Sequence, residues 1–163
     1  MNVYIYKAAG AALLLIGGAI LLSQSASDGT QKLARAKEAL RLIRYTAESI
    51  EYRRATVPEI LMGFRTADEL FQNLCRRAAA TSLTSALAAC GSELFDSGTL
   101  SIMEEFAAEL GRGYEKSQLE LCSITSSRLK ERIEVLEKTL PERRRLERTI
   151  CLFIILTVII ILL

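Results

Sequence analysis

The last fifty residues, Tyr114 to Leu163, constrain this chain more than any other stretch. They close on an uncharged apolar run, Ile150–Leu163, and just before it stands the basic collar Glu142-Arg-Arg-Arg-Leu-Glu-Arg148. Upstream, Leu119, Cys122, Leu129, Ile133, Leu136 and Leu140 recur at three- and four-residue steps, with Ser126 in the single polar gap. That spacing aligns them on one stripe of a helix, a seam for packing against another helix. A packing half, a cationic belt and an oily end make the expected anatomy of a membrane-tethered bundle.

The oily end is short. Fourteen residues at the helical rise cover roughly 21 Å, against a hydrocarbon core of about 30 Å. Arginines that snorkel and a locally thinned bilayer would close the difference; the alternative is a tail that dips into one leaflet. Arg143, Arg144, Arg145 and Arg148 are the expected membrane-interface residues at this end.

A second apolar segment lies at the other terminus. Val3 to Leu22 is twenty residues with one charge, Lys7, near its start. That is long enough to span, with Lys7 and its neighbouring tyrosines at an interface. A cleaved signal peptide is the rival reading, since Ser23-Gln-Ser-Ala-Ser27 offers small residues after an apolar core. Charge favours an uncleaved hairpin. Lys32, Arg35 and Lys37 follow the first segment and the arginine collar precedes the second, so the positive-inside rule places the middle in the cytoplasm. The expected organisation is a transmembrane helix over 1–23, a cytoplasmic helical bundle over 28–148 and a transmembrane helix over 149–163.

The middle reads as all-α. Leu33, Ala36, Leu40, Ile43, Ala47 and Ile50 step by three and four residues, with Lys37, Arg41, Arg44, Glu48 and Glu51 off that face. This seam and the C-terminal one predict two long antiparallel helices. Four short helices are expected between them. Thr56-Val-Pro-Glu59 and Thr66-Ala-Asp-Glu69 read as capping boxes. Thr81 is a candidate cap for a helix over Ser82–Cys90 that Gly91 ends. Ser92–Gly98 reads as a loop with Leu94 and Phe95 as anchors, and Ile102, Met103, Phe106 and Leu110 form one more apolar face.

The residue types exclude most chemistry. The chain has no histidine, so serine and cysteine lack their usual base, and no Gly-x-x-x-x-Gly-Lys phosphate loop is present. Charge is near balance, with 21 basic and 19 acidic residues, which argues against a nucleic-acid footprint. Cys75, Cys90, Cys122 and Cys151 fit no zinc spacing. The expectation is a non-enzymatic protein with no cofactor, metal or small-molecule substrate.

Ile50-Glu-Tyr-Arg-Arg-Ala-Thr-Val-Pro-Glu-Ile-Leu61 resembles the stage III sporulation protein AB family through Tyr52, Thr56, Pro58, Glu59 and Leu61. The likeness continues through Leu70-Phe71 and Glu105-Phe-Ala-Ala-Glu-Leu-Gly111, with Gln118 seven residues on. Two departures are visible: no tryptophan lies in Ser82–Leu87, and the acidic residue expected soon after Gly111 is at best Glu115. The resemblance implies a component of the mother cell–forespore channel, in the mother-cell membrane around the forespore. The family is similar to the platform proteins of type II secretion and type IV pilus machines, which adjoin a secretion-type ATPase. A platform part of another secretion or pilus machine and a membrane-anchored signalling coil are the alternatives. The expected partners are the membrane, such an ATPase and other channel proteins. The short-helix end, Thr56–Gly113, is the expected contact region. Arg65, Arg76, Arg77, Glu104, Glu105, Glu109 and Arg112 are its candidates because they lie off the apolar faces.

Overall fold

The computed structural model describes residues 28–162. Among them the chain forms six helices and no strand. Helix α1 covers 28–48 and widens into a π-turn, Ser49–Arg53. There follow α2 (Val57–Gly63), α3 (Glu69–Ala80), α4 (Leu83–Leu94), α5 (Ser97–Glu109) and α6 (Glu115–Leu162). Two long helices and four short ones are thus present, as the sequence predicts.

The starts of the short helices follow side-chain chemistry, with small shifts from expectation. Thr56 opens α2, and the Glu59 carboxylate accepts from both its backbone N–H and its hydroxyl at 2.8 Å. Asp68, rather than Thr66, caps α3 by accepting from the Phe71 N–H at 3.0 Å. The Thr66 hydroxyl instead accepts from the Asp68 N–H. Ser82, rather than Thr81, caps α4, because the Thr81 hydroxyl turns back to the Arg77 carbonyl at the end of α3.

Gly91 does not end α4. It is buried inside the helix, where an added Cβ would stand 2.5 Å from Leu100 Cδ1, so its role is close packing of α4 on α5. The helix runs on to Leu94, and the expected loop over 92–98 shrinks to Phe95 and Asp96. Both anchors, Leu94 and Phe95, are buried.

Two compact units divide the chain, Lys32–Leu136 and, separately, Met1–Gln31 with Glu137–Leu163. Every described buried residue belongs to Lys32–Leu136. In that unit α2 packs on α3, α3 on α4 and α4 on α5, and the core also takes Ala39, Leu42 and Ile43 from α1 and Cys122 and Leu129 from α6. A file of rings runs through it. Tyr45, Phe64, Phe71 and Phe95 follow one another at centroid distances of 5.8, 6.0 and 5.9 Å, tilted or edge-on as aromatic quadrupoles prefer.

The buried stripe of α1 is rotated from its expected seam. Ala36 and Ile43 are fully buried, but Leu33, Leu40, Ala47 and Ile50 are only half-buried, while Ala39, Leu42, Thr46 and Ser49 lie inside. A hydroxyl is tolerated there because Thr46 Oγ1 donates to the Leu42 carbonyl at 2.8 Å, leaving no unmet polar group. On α6 Cys122, Leu129 and Ile133 are buried as expected and Leu119, Leu136 and Leu140 are half-buried. Thr125, not Ser126, fills the polar gap, its hydroxyl donating to the Leu121 carbonyl.

In the other unit, Leu140 Cδ2 lies 2.7 Å from the position a Cβ would take at Gly29. Residues 149–162, where a transmembrane helix is expected, are helical as the end of α6, which also carries Pro141. Among the described residues no helix is long and apolar enough to cross a membrane. The expected 1–23 helix, with Lys7, lies outside the described residues.

Candidate interaction surfaces

Segments fifty residues apart in sequence converge beside the π-turn. Gln118, at the start of α6, is buried and spends its amide on the loop that joins α5 to α6. Its Oε1 accepts from the Gly111 N–H at 2.9 Å, and its Nε2 donates to the Glu109 carbonyl at 3.2 Å and to the Arg112 carbonyl. The loop needs this hold, because Gly111 adopts φ of 81°, a left-handed conformation that side chains resist. A Cβ at Gly111 would also stand 3.3 Å from Val57 Cγ2 in α2.

The result is a cleft of about 590 Å³ whose wall includes Ile50, Arg54, Thr56, Ile60, Gly111 and Gln118. Arg54 takes the left-handed conformation too, at φ 48°. Tyr52 and Tyr114, 79% and 87% exposed, are next-but-one or adjacent in sequence to wall residues. Of the residues that carried the family resemblance, Thr56, Gly111 and Gln118 line this cleft, and Pro58 and Glu59 build the first turn of α2 beside it. The two hydrogen bonds from Thr56 hold the Glu59 carboxyl below its ordinary range.

The charged contact candidates are all exposed. They do not gather in one groove. Arg76 and Arg77 share a groove of about 400 Å³ with Leu70, Asn73 and Glu93 between α3 and α4. Arg65 belongs to another, against α1. Glu104, Glu105 and Glu109 stand on α5, where Glu105 is spent on a salt bridge to Arg128 of α6. Arg112 sits in the loop that Gln118 holds. Arg143, Arg144, Arg145 and Arg148 lie within α6.

Two arginine–carboxylate pairs also tie the helices together. Arg35, on the buried side of α1, donates to Asp68 Oδ2 at 2.8 Å and to the Glu93 carbonyl. Arg132 of α6 donates to Asp96, which already caps α5 through the Gly98 and Thr99 N–H groups. The Asp96 cap was legible as an acidic residue directly before Ser97-Gly-Thr99; the arginines were not, since nothing local marks their partners. Burial pushes both carboxyls up, but hydrogen bonds outweigh it. For Asp96 these come from Thr99 and Arg132, for Asp68 from Arg35 and the Phe71 N–H, and both carboxyls are held below the ordinary carboxylate range.

Among the described residues there is no cluster of side chains suited to a metal ion. The family model for stage III sporulation protein AB matches residues 7–163. The chain belongs to the stage III sporulation protein AB family. No curated protein and no solved structure matches it significantly, so the sporulation assignment rests on the family model, which runs through both converging segments of the cleft and the whole of α6.

Proposed function

We propose that this member of the stage III sporulation protein AB family is a non-enzymatic assembly or coupling component of the mother cell–forespore channel. It is held in the mother-cell membrane around the forespore by its 1–23 and 149–163 segments, and its helical unit faces the cytoplasm and docks a secretion-type ATPase. The observation that carries this reading is the family match over 7–163. Supporting it are the absence of histidine and of a phosphate loop from the sequence, which leave energy to a partner, and the arginine collar ahead of an uncharged run. In this reading the fourteen-residue run reaches the far interface by arginine snorkelling and local thinning.

The test is capture of the ATPase encoded beside the gene by the full chain in lipid nanodiscs, with charge reversals at Arg65, Arg76, Arg77, Glu104, Glu105, Glu109 and Arg112. Wild-type capture that the reversals weaken is expected. Capture unchanged with all seven reversed removes these residues from the contact, and no capture by the wild type defeats the docking role. Topology has its own measurement: a reporter cysteine at Glu93 should resist an impermeant thiol reagent in intact cells, and labelling from outside would overturn the cytoplasmic placement.

A further inference from the structure

Arg41 and Arg44 on α1 and Arg65 in the link from α2 to α3 face one groove of about 420 Å³, whose lining also includes Tyr45, Phe64 and Glu48. An exposed arginine on a helix is ordinarily just a solvated one. This site differs in how its donors are divided. Arg41 is already committed: it pairs with both oxygens of Glu38 at 2.7 Å, donates to the Arg65 carbonyl and lies 5.5 Å over the Phe64 ring. It acts as a fixed wall. Arg44 makes no ion pair or side-chain hydrogen bond among the described residues, and the Arg65 guanidinium reaches only the Met62 carbonyl, at a long 3.4 Å. Three guanidinium groups therefore meet the single lining carboxylate of Glu48, and two of them are unspent.

The floor is not a floor for a bare anion. The Tyr45 and Phe64 rings meet at 5.8 Å. Gly63 lets backbone come close beneath, since a Cβ there would stand 2.7 Å from the Tyr45 hydroxyl oxygen. Forked donors that match carboxylates two bonds at a time thus stand next to an aromatic surface.

We propose that this groove docks an acidic, amphipathic segment of a protein partner, its carboxylates on Arg44 and Arg65 and an apolar side chain against Tyr45. A phosphate headgroup would satisfy the arginines but make no use of the apolar floor, so a protein segment is the better match. The proposal rests on the partner-docking reading above and gives that partner a contact chemistry.

The experiment uses the full chain in nanodiscs of uncharged lipid and a fluorescein-labelled helical peptide with leucines along one face and glutamates flanking them. Fluorescence anisotropy should show binding that Arg44→Glu/Arg65→Glu weakens about tenfold or more. Arg44→Gln/Arg65→Gln, which spares the fold from charge reversal, should weaken it in the same direction. Lys116→Glu/Lys130→Glu, an equal change of charge elsewhere, should leave binding within about twofold, and the peptide with lysine for glutamate should not bind.

No wild-type binding, equal losses in the two charge-reversed variants, or an Arg44 and Arg65 dependence found in binding of the chain to phosphatidylglycerol vesicles but not in peptide binding would each overturn the proposal. The two readings fail separately. ATPase capture that survives Arg44→Glu/Arg65→Glu refutes the groove and leaves ATPase docking intact. Groove-dependent peptide binding without ATPase capture does the reverse.

Discussion

Arg132 of α6 closes on Asp96, the cap of α5, from thirty-six residues away, its Nε 3.0 Å from Asp96 Oδ2. One carboxylate thereby opens a helix and ties it to another. Asp96→Ala removes both functions and leaves Arg132 without its acid. We expect a loss of about 2 kcal/mol, a lost cap plus a charge-assisted hydrogen bond, read by urea denaturation. A change below a few tenths would mean that solvent replaces the clamp at no cost.

Asp96 and Asp68 also set an acid limit. Their folded carboxyls titrate below the ordinary value of about 3.9 because Thr99, Arg132, Arg35 and backbone N–H groups hold the charged form. A depressed folded pKa contributes stability that is fully present above the unfolded value and is lost as pH falls through the folded one. Melting temperature should hold steady in this respect above about pH 5 and drop below about pH 4. Asp68→Asn/Asp96→Asn should flatten that drop, and an unaltered acid limb would place its cause elsewhere.

Gln118 is replaceable by nothing of the same length. Gln118→Glu keeps an acceptor but has no N–H for the Glu109 and Arg112 carbonyls, and it brings a charge to a buried position. Either Gln118→Glu or Gln118→Ala should cost about 1–3 kcal/mol. Hydrogen exchange should speed up first at the Gly111 amide, which loses its acceptor in the alanine variant. Uniform exchange across the chain would show that the loop holds itself.

The two long-helix seams predict unequal responses to a buried charge. Ile43 is wholly buried and Ile133 is 8% exposed. Ile43→Asp should destabilise by several kcal/mol, and Ile133→Asp by less, since its carboxylate has a short route to water. Thermal melts of the two variants rank them directly.

Cysteine chemistry should follow burial. Desolvation pushes the Cys75 thiol up to about 12, with the nearby Glu38 charge adding to it, and the Cys122 thiol up to about 11. At pH 8 neither should be alkylated by iodoacetamide in the folded protein, and both should react in urea. Peptide-level mass spectrometry reads each site, and prompt labelling of Cys75 would show that the core opens there.

What was legible in the sequence was what local chemistry decides. Thr56 before Pro58 and Glu59, and the long C-terminal helix, follow from capping and periodicity. The shifts came from tertiary competition. Leu33 and Leu40 looked like core because they are large, yet Ala39 and Thr46 take the inner face of α1, where small side chains admit neighbours and a hydroxyl bonds within its own helix. Gly91 looked like a stop signal because a partner for its bare backbone, Leu100, cannot be read locally. Gln118 was noticed only through the family resemblance; its three backbone partners lie six to nine residues away across a turn. The groove at Arg44 and Arg65 joins positions that no single helical pattern relates.

The order in which the helices pack has a consequence for how fast the chain folds. Helices α2 to α5 each pack on their sequence neighbour, which needs only short loops to close and proceeds quickly. The core remains open until Leu42 and Ile43 of α1 share it with Cys122 and Leu129 of α6, residues separated by most of the domain. Closing that long loop is the slow event. Substitutions at Phe95, whose local contacts are already made when that loop closes, should therefore act mainly on the folding rate, and those at Leu129, whose contacts follow closure, mainly on the rate of unfolding, which a chevron plot of each variant distinguishes.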